Sequence, residues 1–272
     1  DWSSDVCSSD LRPGRTGAAR SGPMAFERSG RAPADVDIAL LYDAFASNPA
    51  MILEEAGFVK PGGAATGKLL PTGQVVDQLP LPNGKMIDVS LIDASHPNAF
   101  LRARDLGLSG TETPDAIQAN HDLMATLEHL RRQAGVKMGL ALSEDKVTLT
   151  GPRIGVVAEP QAYVALDKAA ISDDYEISTR MISVEQPHRA VPLSSGLCLS
   201  VACRIVGTLP HQMARPIQDG QPIRIGNPSG LLTYGADVRQ ENGEWVADSA
   251  GVYRTARCLM KGMVAVPRHL YP

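Results

Sequence analysis

The sequence predicts an α+β chain, with many short strands curved as a sheet or barrel around one central apolar helix. Three observations carry this reading. Within Gln186 to Pro210, the residues Leu197, Cys198, Leu199, Val201, Ala202, Cys203, Ile205 and Val206 leave almost no polar face. A helix apolar all round belongs in an interior, and at about twelve residues it is too short for a bilayer, which needs roughly 20. Around it lie short apolar runs bounded by Gly, Pro, Asn and Asp, the usual punctuation of strands and turns. Finally, Asn242-Gly243 separates two of those runs by two residues, the strongest short-range hairpin signal.

Composition narrows the functional classes. The chain has 272 residues, 43% hydrophobic and 21% charged, which is globular and allows a sizeable core. A net charge of −4 gives no electrostatic case for nucleic acid or a membrane surface, and 4% aromatics leave few platforms for stacking bases. Cys7, Cys198, Cys203 and Cys258 form no CxxC pair and have no histidine cluster beside them. They read as small buried hydrophobes in a reducing compartment, with no metal site and no disulfide frame. No signal peptide, transmembrane run or lipidation motif is visible, so a soluble cytoplasmic protein is expected.

In chain order, residues 1–11 (DWSSDVCSSDL) resemble translated sequencing-adapter read-through, and residues 12–23 are basic and glycine-rich. Residues 1–23 are therefore expected to be disordered or artefactual. Residues 24–63 read as a short strand, Val36 to Leu41, and a helix from about Phe45 to Ala56, ended by Gly57. Through Asp35, Asp37, Tyr42, Asp43, Phe45, Glu54, Gly57 and Phe58 this stretch resembles a piece of the thiolase family, without that family's catalytic cysteine and histidine motifs. A chimeric junction is the expectation, and a genuine fusion the alternative.

From Thr66 the pattern becomes coherent. Strands are predicted at 75–79, 85–92 and 99–103, with Asp93 to Asn98 as a polar turn between the last two. A helix follows over about 116–138, with Leu123, Leu127, Leu130 and Ala134 as its buried stripe. Glu128, Arg131, Arg132 and Lys137 form its solvated face, and Glu128 and Arg132 are paired at i,i+4. His121 and His129 lie too far apart for two metal ligands on one turn. Further strands are predicted at 147–158 and 176–184 before the central helix, then at 222–226, 230–238, 244–247, 252–257 and 260–266. Pro192, Ser194 and Ser195 sit where the central helix begins, so a hydroxyl cap and an end suited to an anion are expected. Gly207 and Pro210 stop it.

The run Gly67-Lys68-Leu69-Leu70-Pro71-Thr72-Gly73, then Leu91-Ile92-Asp93-Ala94, Ala103 to Glu112, Pro187-His188, Asn227-Pro228-Ser229-Gly230 and Thr255-Ala256-Arg257 carries a resemblance to the 2-methylaconitate cis-trans isomerase (PrpF) family. It covers residues 66–272 and departs from the family pattern at Asn227, where a histidine is usual. The resemblance implies a diaminopimelate-epimerase-like fold of two similar domains, of which one is largely missing here and 66–272 is the C-terminal one. It also implies a cofactor-independent proton transfer in small unsaturated tricarboxylic acids such as 2-methylaconitate, with 4-oxalomesaconate tautomerisation as a sister activity. A small tricarboxylic acid is the expected partner, and a homodimer is the assembly allowed for.

The family's proton-transfer lysine and cysteine, the latter in an NCGN motif, belong to the other domain, and no NCGN occurs in this sequence. Catalytic residues are accordingly unassigned, and a binding domain without catalysis is the reading of another class. Substrate-binding candidates on this half are Ser95, His96, Asn98, His188, Ser194, Ser195, Asn227, Ser229 and Gly230. Each also has a structural reading: a turn residue for the Asn227–Gly230 run, a residue before a capped helix for His188. Arg224, Arg254 and Arg257 are further carboxylate partners to consider beside an ordinary solvated role.

Overall fold

The computed structural model describes residues 66–252 together with Glu27 and Ala32. Apart from Glu27 and Ala32, the thiolase-like stretch lies outside the described residues, as do the first 23 residues, Arg254, Arg257 and the strand expected at 260–266. In chain order come β1 (Asp77–Pro80), β2 (Met86–Ala94), β3 (His96–Arg102), α1 (Pro114–Ala119), α2 (His121–Lys137), β4 (Arg153–Ala158), β5 (Tyr163–Val164) and β6 (Ala170–Ile171). They are followed by β7 (Ile177–Ser183), β8 (Gln186–Pro187), α3 (Leu193–Ala202), α4 (Leu209–Met213), β9 (Ile223–Asn227), β10 (Gly230–Glu241) and β11 (Glu244–Val252). The architecture is α+β.

One mixed sheet runs β1-β2-β3-β4-β7-β9-β10-β11, with β8 paired to β7, and β5 and β6 form a separate pair. The β3–β4 and β7–β9 pairs are parallel and the rest antiparallel. Side chains alternate across a strand, and the sheet covers an apolar layer on each face. Phe100, Val157, Ile177 and Met181 face α3. Ala99, Leu101, Ile154, Val156 and Ile182 face α2. The α3 helix touches β2 and β3 near one end of the strand order and β10 and β11 at the other, so the sheet curves around it. Every α3 residue from Ser194 to Ala202 is buried. Among the described residues no helix is long and apolar enough to cross a membrane.

Several local expectations need correction. The helix expected over 116–138 is two helices, because Asn120 ends α1 and its side chain accepts from Leu123 N to cap α2. Arg131 is not on the solvated face: it is 3% exposed and donates to Thr148 O at 2.6 Å and to Glu128. The Glu128–Arg132 pair is present at 2.6 Å. Residues 147–152 are not strand, and β4 starts at Arg153 after the Gly151-Pro152 step. The central helix ends at Ala202, and Pro210 lies in the first turn of α4 rather than stopping its predecessor.

Two hairpins in this chain solve one problem with opposite chemistry. A two-residue turn matched to strand twist needs positive φ at both central residues, which favours Asn-Gly. The β10–β11 turn has Asn242 at φ 53° and Gly243 at φ 84°. The β7–β8 turn instead has Val184 at φ 50° and Glu185 at φ 60°. A β-branched residue in that region is strained by roughly 1–3 kcal/mol. Val184 is 52% exposed, so replacing it takes no core side chain away. V184N combined with E185G is therefore expected to raise the melting temperature by about 2–8 °C, read by calorimetry. An unchanged or lower value would show the strain to be absent.

Candidate functional site

Sheet pairing gathers the site. Ser95, at φ 69°, reverses the chain within one residue, so Ala94 of β2 pairs with His96 of β3. The polar turn expected over 93–98 is thus mostly strand. Asn98 lies beside Arg153 in the parallel β3–β4 pair, and Ile154 lies opposite Ile182 in β7. The starts of β3 and β4 therefore meet the end of β7 at one edge. Period-two alternation places Asn98, Arg153 and Ser183 on the face that carries α3. The β8 hairpin then returns His188 to the same place: its amide donates to Met181 O at 2.8 Å, and its Nε2 is bonded to Ser183 Oγ.

Arg153 is the hub of this edge. Its Nη1 donates to Ser194 Oγ at 2.9 Å and to Ser195 Oγ at 3.1 Å, tying β4 to the start of α3. These hydroxyls do not cap the helix as expected: the N-cap is Pro192, with no side-chain cap bond. The first intrahelical donor is Gly196 N, to Pro192 O at 2.9 Å, so the amides of residues 193–195 have no partner within the helix. Arg153 makes no salt bridge among the described residues. Burial pulls its pKa below the usual guanidinium value, yet such a group stays charged at working pH.

Buried polar atoms without a partner concentrate here. Ser95 Oγ, Asn98 Oδ1 and Arg153 Nε are all buried and lack a hydrogen-bond partner among the described residues. Native interiors satisfy nearly all such groups, so three on one edge mark a place built for something polar. His96 and His188 flank it, and burial, assisted by the Arg153 charge, lowers the pKa of both. His96 Nδ1 lies 2.9 Å from Pro97 O, and the Thr150 backbone also hydrogen-bonds the ring. The ensemble is one cation, two imidazoles, hydroxyls and amides unpaired within their helix, a set whose chemistry suits a carboxylate.

The nine sequence candidates thus divide. Ser95, His96, Asn98, His188, Ser194 and Ser195 come together. Asn227, Ser229 and Gly230 form a self-satisfied turn: Asn227 Oδ1 accepts from Ser229 N at 3.1 Å, and its Nδ2 donates to Gly230 O at 2.9 Å. Tyr163 Oη donates to both Asn227 O and Gly230 O at 2.8 Å. This turn touches the site's surroundings through Ser229 Oγ, which donates to Arg189 O at 2.7 Å beside His188. Arg224 is engaged by Glu176 at 2.9 Å and Asp174 at 3.2 Å, so it is not a spare cation. Cys198 and Cys203 are inside the core as expected, and burial pushes the Cys198 thiol up to about 12 and raises Cys203 as well. Neither is a base. Sequence reasoning missed Arg153 and Ser183. The one available signal was a cation opening an otherwise apolar strand, in Gly151-Pro152-Arg153-Ile154.

Comparison with known proteins gives the chain's relatives. The PrpF protein family model matches residues 43–267. A thiolase C-terminal domain-like model matches residues 3–78, which extends beyond the 24–63 stretch expected from sequence. Similar curated proteins include a 3-methylitaconate isomerase of Eubacterium barkeri, 37% identical over 78% of this chain and 56% of its own length. A 2-methyl-aconitate isomerase of Shewanella oneidensis is 34% identical over 74% of this chain and 51% of its own. A 4-oxalomesaconate tautomerase of Pseudomonas putida is 28% identical over 78% of this chain and 52% of its own. The crystal structure of a methylitaconate-delta-isomerase superposes with TM-score 0.66 at 36% identity, over 74% of this chain and 53% of that one. The chain therefore spans about half the length of the curated relatives it matches.

Proposed function

The chain belongs to the PrpF protein family, and from that premise we propose that it forms the carboxylate-binding half of a cofactor-independent isomerase acting on small unsaturated tricarboxylic acids. The substrate class is that of 2-methylaconitate. The observation that carries this is Arg153, a largely buried cation without a carboxylate partner among the described residues, set against the start of a fully buried helix. A substrate carboxylate here replaces the water lost on burial and pairs with the planar fork of the guanidinium. The free amides of residues 193–195 add oriented donors for the charge that develops when a proton leaves carbon. The curved sheet on α3 is read as one domain of the diaminopimelate-epimerase-like fold, with α3 central to it.

The proton itself is a separate matter. Cys198 cannot serve with its thiol at about 12 and buried. A lysine–cysteine pair of the kind the resemblance implies would come from the other half of a relative nearly twice as long. The 272-residue chain is therefore expected to bind tricarboxylates and to turn over little or none. The test is titration with tricarballylate, a saturated tricarboxylate, beside deuterium incorporation from heavy water into 2-methylaconitate. Incorporation above a heat-denatured control would overturn the half-site reading, and failure to bind would overturn the site. Parallel assay of a full-length relative with 2-methylaconitate, 3-methylitaconate and 4-oxalomesaconate separates the sister activities.

A further inference from the structure

The two imidazoles at this edge are placed to do more than donate hydrogen bonds. Resting on the reading of a carboxylate site, we propose that the cluster takes up its polycarboxylate together with a proton, which settles on His96 or His188.

The argument is electrostatic. His96 opens β3 two residues before Asn98, the register partner of Arg153, and its ring edge approaches Gly151. His188 is fixed by Ser183 on the neighbouring strand. Burial lowers the pKa of both rings, and Arg153, the charge acting on both, lowers them further. The other titratable groups facing this edge do not compensate. Cys198, one turn along α3 from Ser194, is protonated; the Asp93 carboxylate of β2 is engaged by Thr66 N at 2.6 Å and Thr66 Oγ1 at 2.8 Å, and Arg153 rather than Asp93 is the charge that acts on the two rings. A bound carboxylate cancels the Arg153 field. A second or third carboxylate on the same molecule then adds negative charge beside the rings. Both changes favour imidazolium, so the histidine pKa is higher in the complex than in the free protein. Linkage fixes the sign: between those two values binding consumes a proton and tightens as pH falls, by up to about tenfold per pH unit for one full proton. Above both values, and below both, the affinity is flat.

The experiment is calorimetric titration of the full chain with tricarballylate from about pH 8 to 6, in buffers of low and high ionisation enthalpy. Expected are a buffer-dependent binding heat corresponding to fractional proton uptake at neutral pH, growing on acidification, and a falling Kd. His Cε1–H resonances of the unaltered protein should titrate at higher pH with ligand than without. In H96Q and H188Q, glutamine keeps a hydrogen-bonding group. The variant that removes the proton acceptor should lose the uptake while still binding. Binding with buffer-independent heat and a flat Kd overturns the proposal and leaves the carboxylate site standing. Uptake that persists in the H96Q/H188Q double variant places the proton on the ligand and overturns it too. No binding at any pH overturns the site reading itself, and the proposal with it.

Discussion

R153A is expected to abolish measurable tricarboxylate binding while leaving thermal stability unchanged or slightly raised. The two effects separate because Arg153 is desolvated without a carboxylate partner among the described residues. In the free protein a partly buried cation without a carboxylate partner among the described residues stabilises little, and its removal is expected to be near neutral or favourable. Ser194 and Ser195 lose a donor but can turn their hydroxyls to other acceptors. In the complex the same guanidinium faces an anion in a dry setting, where truncating one partner costs about 2–5 kcal/mol. That is roughly a 30- to several-thousand-fold rise in Kd. R153K should fall between, since lysine keeps the charge and loses the bidentate fork. Titration with tricarballylate and a thermal melt decide it. A large stability loss in R153A with binding preserved would make Arg153 a structural tie.

G196A should be among the most destabilising single substitutions in the described region. A Cβ at Gly196 would lie 2.2 Å from Tyr234 Cζ and 2.3 Å from Tyr234 Oη. Two opposing effects compete. Alanine favours a helix over glycine by about 1 kcal/mol. Against this, the contact lies far inside van der Waals range, and Tyr234 is fully buried. Overpacking of a tight core costs typically 1–3 kcal/mol and more where backbone must move. The clash wins, and a melting temperature lower by about 2–12 °C is expected. Because the displaced turn also carries Ser194 and Ser195, tricarboxylate affinity should fall alongside. Adding Y234L, which removes the ring atoms in question, should recover part of the stability. A G196A protein as stable as its parent would mean that α3 and β10 are not in this contact.

How much was legible follows from which interactions are local. The Asn242-Gly243 hairpin was readable because positive φ is a property of those two residues, and the turn shows it. Val184-Glu185 makes a turn of the same positive-φ kind without any residue signal, because register on both sides holds it there. The buried helix was legible from its missing polar face, and its true end at Ala202 was not. The helix over 116–138 was legible from its apolar stripe, whereas the break at Asn120 was not, because it rests on the Asn120 side chain turning to accept from Leu123 N.

The site shows the same division. The sequence by itself determined that a wholly apolar helix would be interior and that Cys198 and Cys203 would be buried with it, and it offered polar residues near 95–98, 188 and 194–195 as candidates. Only the tertiary structure decided that these meet at Arg153, because the meeting depends on β3 lying parallel to β4 and β4 antiparallel to β7. Strand order is a long-range choice, invisible in any local window. It also decided that Asn227 closes its own turn and that Arg224 is spent on Glu176 and Asp174. A residue's hydrogen-bonding capacity is written in its identity, whereas whether that capacity is already satisfied depends on neighbours far away in the chain.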